Sequence, residues 1–139
     1  MVDNLNLSPK SQQIQSMFDK ISTRYNLLNR LLSFGQDARW RKALIKKIPT
    51  VSDSNGVLYD VACGTGDVIH SFLKKRSDYR SLVGFDISEG MLNIAKIQNR
   101  SPQTKHILAS AEQLPVPAES ANCLTIAFGL RNVDDRQKA

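Results

Sequence analysis

The spacing of hydrophobic positions changes period once along the chain. Between Ser8 and Ile48 it is helical. Ile14, Met17, Phe18 and Ile21 fall at i, i+3, i+4 and i+7, one face of a helix. Ser8 is a capping residue type and Pro9 tolerates the first helical position. Leu27, Leu28, Leu31 and Leu32 continue the pattern in a second piece that ends at Ser33-Phe34-Gly35. A third helix is expected from about Arg39 to Ile48, stopping before Pro49. Trp40, Ala43, Leu44 and Ile48 form its apolar side, and Arg39, Lys42, Lys46 and Lys47 its polar side. Residues 1–7 are expected to be a disordered tip, and residues 50–56 a polar linker.

From residue 57 the pattern alternates. Short apolar runs at 57–62, 82–86, 106–109 and 123–128 read as strands. Helical stretches at about 67–76 and 89–99 separate the first three, with Ser88 capping the second helix. The segment through Pro115 and Pro117 has no clear helix, so the last crossover is irregular. Strands alternating with helices imply an α/β fold with a parallel sheet. The organisation expected is a helical segment, residues 1–50, followed by an α/β domain, residues 51–139.

Chemistry concentrates where the first strand turns into a helix, at Tyr59-Asp60-Val61-Ala62-Cys63-Gly64-Thr65-Gly66-Asp67. Gly64 and Gly66 allow positive φ and close ligand approach. The helix that follows offers free N–H groups and a partial positive charge. Such a turn binds nucleotides or nucleoside carboxylates. Asp86 closes the second apolar run, twenty residues after Gly66. A carboxylate there accepts hydrogen bonds from the two hydroxyls of an adenosine ribose, so the expected cofactor contains adenosine.

Composition narrows the class. The 139 residues suffice for one domain, and 41% apolar with 23% charged residues is ordinary for a globular protein. No apolar run approaches the ~18–20 residues that span a bilayer, and nothing at the N-terminus marks export. Cys63 and Cys123 stand apart, with no His/Cys cluster, so neither a metal site nor a disulfide framework is indicated. Two reduced thiols in a cytoplasmic protein are expected. Residues 1–50 carry nine Lys/Arg against three Asp/Glu, a net of +6, whereas residues 51–139 carry ten of each. The asymmetry suggests contact with an anionic surface, membrane or nucleic acid. A basic amphipathic helix carrying Trp40 suits a membrane surface, and equally suits a core-packed helix with a solvated basic face.

The residues resemble the ubiquinone/menaquinone biosynthesis C-methyltransferases over most of the chain, from about Met17 to Ala139. Three stretches carry the resemblance: Tyr25-Asn26-Leu27-Leu28-Asn29-Arg30-Leu31-Leu32-Ser33-Phe34-Gly35 with Trp40-Arg41, the turn Asp60-Val61-Ala62-Cys63-Gly64-Thr65-Gly66-Asp67, and Phe128-Gly129-Leu130-Arg131-Asn132-Val133. The resemblance, rather than the spacing, selects S-adenosylmethionine over a nicotinamide dinucleotide, through Asp60-x-Ala62-x-Gly64-x-Gly66. It implies a class I methyltransferase, Rossmann-like sheet of which this chain supplies strands in the order 3-2-1-4. Strand 4 would then be an edge, and the chain reads as truncated relative to the family.

The implied activity is methyl transfer to a ring carbon of a polyprenylated quinol, either demethylmenaquinol or a ubiquinol precursor. The implied cofactor contacts are Asp60, Gly64, Thr65, Gly66, Asp86, Ser110 and Ala111. Arg131 is the implied stabiliser of the quinol phenolate, with Asn132 orienting the oxygen or a water. The alternative for Arg131 is a surface pair with Asp134 or Asp135. Ala127, Asn26 and Asp37 depart from the family pattern, which more often has Ser, Asp and His there. Asp19 and Lys20 are expected to be solvated. The implied partners are a lipid quinol and, transiently, an anionic membrane surface at the inner face, with a homo-oligomer left open. Nucleic acid is not expected: no Pro-Pro-aromatic motif follows strand 4, and aromatics for base stacking are few. A non-catalytic remnant that keeps the cofactor turn as a binding module is the competing expectation.

Overall fold

The computed structural model describes residues 5–138. The tip expected over residues 1–7 therefore lies partly outside the described residues, as does Ala139. The chain runs α1 (Pro9–Ser33), α2 (Gln36–Lys47), β1 (Gly56–Val61), α3 (Asp67–Leu73), β2 (Tyr79–Asp86), α4 (Glu89–Gln98), β3 (Thr104–Leu108) and β4 (Cys123–Ile126). A single 3-10 turn, Leu130–Asn132, follows.

The four strands pair in parallel in the order β3-β2-β1-β4, as the resemblance implied. β1 sits centrally, with Asp60 opposite Gly84 on one side and Thr125 on the other. Both sheet faces are covered. On one, Ile45 of α2 and Ile48 just after it join Val68, Ile69 and Phe72 of α3 over Leu58 and Leu82. On the other, Tyr59, Val61, Val83 and Phe85 pack under Leu114 and Val116 of the β3–β4 connection. That connection holds no α-helix, as its prolines indicated.

Arg76 fixes α2 to this body. It donates to the carbonyls of Ile48 and Pro49, each at 2.7 Å, and pairs with Asp78. Its guanidinium also stacks 4.9 Å from the Phe72 ring centroid.

Several boundaries differ from the sequence pattern. α1 is one continuous 25-residue helix, not two pieces. The polar stretch around Ser22 marks no break, because Ser22 is buried against the protein. α2 begins at Gln36, three residues early. β2 begins at Tyr79, whose buried ring packs on Phe72, and α3 ends at Leu73. β3 begins at Thr104 and ends at Leu108. β4 stops at Ile126, and two residues later Phe128 turns to φ +64°, outside any strand conformation.

Candidate functional site

β1 ends in a turn built from left-handed backbone: Ala62 at φ +53°, Gly64 at +54° and Gly66 at +80°. Gly66 is also tightly packed. A Cβ there would meet Asn99 Nδ2 at 2.4 Å, where the Asn99 amide donates to the Gly66 carbonyl. Beside this turn, β2 delivers Asp86, 9% exposed. Its Oδ2 accepts from the Gly64 N–H at 2.8 Å and its Oδ1 from the Ser88 N–H at 2.9 Å. Burial raises its carboxyl pKa, and those backbone donors oppose the rise. Each oxygen keeps lone-pair capacity for a further donor.

These groups open onto a cavity of about 340 Å³ at the C-terminal ends of the strands. That is where ligands bind in open parallel sheets, and the volume suits a small-molecule site. Gly64 and Asp86 form one part of the wall, Ser110 and Ala111 another, and Arg131 and Asn132 a third. α1 roofs it with Ile14, Phe18, Tyr25 and Asn29. Six of the nine expected site residues therefore converge on one space.

The other three expected site residues do not line it. Thr65, 2% exposed, turns its hydroxyl to α1 and donates to Asn26 Oδ1 at 2.7 Å. Gly66 packs on α4. Asp60, 1% exposed, lies inside the sheet; its Oδ1 accepts from the Thr125 hydroxyl at 2.7 Å, and its Oδ2 has no partner. Burial, with the nearby Asp86 and Asp67 charges, pushes the Asp60 carboxyl up to about 7.

α1 is held by polar ties that sequence spacing does not reveal. Gln15 donates to the Ile87 carbonyl at 2.7 Å. Asp19 is not simply solvated: its Oδ1 accepts from the Ser88 hydroxyl at 2.5 Å and the Gly90 N–H at 3.0 Å, capping α4. At its N-terminus, Ser8 and Ser11 donate to Asp134, and Lys10 pairs with it at 3.0 Å. Asp134 thus pairs with Lys10, and no Arg131 pair occurs among the described ion pairs.

Glu112 Oε1 accepts the N–H groups of Asp134 and Asp135, each at 3.1 Å, which fixes the loop carrying Arg131 against the loop carrying Ser110. On α2, burial alone would raise the Asp37 carboxyl, but hydrogen bonds from Arg41 and Ser33 hold it below the ordinary value. Arg41 also lies 3.7 Å from Asp67, the first residue of α3. Phe128, on the cavity wall, packs on Trp40 with centroids 5.5 Å apart.

Tyr25 and Asn29 are cavity residues to which helical periodicity assigns no role, although both fall in a stretch that carries the family resemblance. Among the described residues there is no cluster of His, Cys, Asp and Glu that could hold a metal ion.

The model of the ubiE/COQ5 methyltransferase family matches residues 6–139. Among curated proteins, the ubiquinone/menaquinone biosynthesis C-methyltransferase UbiE of Campylobacter jejuni is 39% identical over 135 residues, covering 94% of this chain and 57% of the relative. The UbiE protein of Geotalea uraniireducens is 42% identical over 134 residues, covering 94% and 56%. The chain thus spans a little over half the length of these relatives. Among solved structures, the [4+2]-cyclase SpnF superposes with a TM-score of 0.75 at 21% identity, covering 94% of this chain and 54% of that one. A Haloferax volcanii putative methyltransferase, solved with the Trm112 activator, gives 0.72 at 15%, covering 87% and 51%. At those identities the likeness concerns the fold, which is the class I methyltransferase α/β fold.

Proposed function

The chain belongs to the ubiE/COQ5 methyltransferase family, and on that premise we propose that its site methylates a ring carbon of a polyprenylated quinol, using S-adenosylmethionine. The observation that carries this is the convergence of Gly64 and Asp86 with Arg131 and Asn132 on one cavity. The residues present fit the cofactor. A Cβ at Gly64 would meet nothing within 4 Å, so ligand can approach the backbone there. The Asp86 carboxylate reaches the cavity wall with acceptor capacity to spare for ribose hydroxyls. Ser110 and Ala111 flank the adenine side, while Thr65 and Gly66 act by shaping the turn.

When bound, S-adenosylmethionine supplies a methyl group on a good sulfonium leaving group. The protein's task is then alignment and charge stabilisation. A phenol titrates near ~10 in water, so a quinol carbon becomes nucleophilic only if the site favours the phenolate. Arg131 supplies the positive charge. Asn132 orients the phenolate oxygen. The roof of α1 limits water at the reacting centre.

A polyprenylated substrate partitions into bilayers, so we place the protein transiently at an anionic membrane surface. Residues 1–50 serve as the cap over substrate, and residues 51–139 as the cofactor-binding part. Among the described residues, no helix is long and apolar enough to cross a membrane. The test is a calorimetric titration of S-adenosylmethionine into the chain, with circular dichroism to establish folding, followed by a methyl-transfer assay on a short-chain quinol. Saturable binding and ring methylation are expected. A folded chain that binds no cofactor would overturn the proposal.

A further inference from the structure

The C-terminal half of α1 is amphipathic in the reverse sense. Ser22, Asn26, Asn29 and Ser33 fall at i, i+4, i+7 and i+11, on one face. That polar face is the one turned to the protein: Ser22 is buried, Asn26 bonds Thr65, Asn29 lines the cavity and Ser33 donates to Asp37. Arg24, Leu27, Leu28, Leu31 and Leu32 fall at i, i+3, i+4, i+7 and i+8, on the opposite face. Leu27, Leu31 and Leu32 are 62%, 63% and 78% exposed, and Phe34, at the turn into α2, is 92% exposed. A surface helix ordinarily turns its leucines inward. A contiguous apolar face of this kind marks an interaction surface.

We infer that this leucine face and Phe34 dock the protein on an anionic lipid bilayer. Charge selects the occupant. Lys20 and Arg24 lie on or beside the leucine face, and α2 exposes Arg39, Lys42, Lys46 and Lys47. The two carboxylates of described residues 5–50 are both engaged with the protein: Asp19 caps α4, and Asp37 is buried against Arg41. What remains is apolar and cationic, the combination that binds the boundary of a bilayer with anionic headgroups. Trp40 on α2 is half-exposed, and its ring meets Phe128 on the cavity wall. Docking here would set the helix that roofs the site against the lipid phase. For that purpose the inference rests on the lipid-quinol reading, but its test does not.

The experiment is vesicle co-flotation of the 139-residue chain on neutral phosphatidylcholine and on vesicles with about a third phosphatidylglycerol, at low salt and near ~1 M salt. At low salt the chain is expected to partition at least ~tenfold better onto the anionic vesicles. The emission of Trp40, the single tryptophan, should shift to the blue on binding. Leu31→Ser with Leu32→Ser should cut partition about tenfold while leaving circular dichroism and cofactor affinity unchanged. Lys42→Glu with Lys46→Glu should abolish the preference for anionic vesicles.

Equal partition of the leucine variant and the parent would overturn the inference. So would a folded chain that ignores anionic vesicles at low salt. Concentration-dependent self-association lost in the leucine variant, without vesicle binding, would assign the face to a second copy. Vesicle binding by a chain that binds no S-adenosylmethionine would retain this inference and sink the catalytic reading.

Discussion

A Cβ placed on Gly129 would lie 2.3 Å from the Cβ of Ala62. The two residues close the junction between the glycine turn and the loop that carries Arg131. Gly129 sits at φ −81°, so space rather than conformation demands glycine there. Ala62 holds a left-handed φ of +53°. Ala on one side of the contact leaves no room for a side chain on the other.

Gly129→Ala should therefore displace the 62–66 turn or the 130–132 loop. Overpacking of this kind costs about 1–3 kcal/mol, and the distorted turn should weaken cofactor binding. Ala62→Gly alone should be near neutral, because relief of the left-handed conformation offsets added backbone entropy. Together, Ala62→Gly and Gly129→Ala should recover most of the stability. A urea-denaturation double-mutant cycle with no coupling would show that the contact is not what constrains position 129.

Asp86 joins the two turns that frame the cavity, through Gly64 and Ser88. Asp86→Ala removes an acceptor from two backbone N–H groups and from the ribose hydroxyls. Hydrogen bonds to a charged acceptor contribute about 1.5–3 kcal/mol each, so S-adenosylmethionine affinity should fall on the order of a hundredfold or more. Stability should drop as well. Unchanged affinity in a calorimetric titration would remove Asp86 from the site.

Much of this arrangement was legible from residue patterns, for identifiable reasons. Parallel strands buried on both faces read as continuous apolar runs, which is how Val57 to Ala62 and Leu82 to Asp86 announced β1 and β2. The glycine turn and Asp86 declared the ligand end of the sheet through their spacing. The strand order, and the roles proposed for Arg131 and Asn132, came from family likeness and not from periodicity. What stayed hidden was long-range pairing. Nothing local tells Asp19 that Ser88 and Gly90 lie 69 and 71 positions on, or turns Thr65 toward Asn26. The direction of α1 was hidden for the same cause: its spacing shows two faces, and only the contacts of Ser22 and Asn26 show that the polar one points in.

Arg131 lines the cavity and stands outside the described ion pairs, so its charge is available to a substrate. Arg131→Ala should leave S-adenosylmethionine affinity within about twofold and lower turnover by on the order of 10²–10³, the usual loss of one preorganised donor. Arg131→Lys should recover part of the rate, since charge survives while the planar fork does not. The check is a kcat measurement across pH with a short-chain quinol. The alanine protein should regain activity as pH rises toward the phenol pKa, where hydroxide replaces the lost electrostatic help. A turnover equal to the parent would reject the phenolate role.

Asp60 links site architecture to acidity. Its carboxyl is raised from an ordinary 3.8 to about 7, chiefly by burial. Between those values the folded protein keeps a proton that the unfolded chain has released. The folded state therefore binds more protons, and stability falls as pH rises through this window. Above about 7 the full penalty, on the order of a few kcal/mol, is present. Asp60→Asn keeps an acceptor for the Thr125 hydroxyl and removes the charge facing Asp86 and Asp67. It should be close to the parent near pH 4 and more stable than the parent at pH 8, with a flatter profile between. Comparing the two proteins isolates Asp60 from Asp86, whose carboxyl is raised in the same direction. Parallel pH profiles would mean that Asp60 ionises in the fold as easily as in water. Its unpartnered Oδ2 would then have to find a donor that the packing around β1 does not provide.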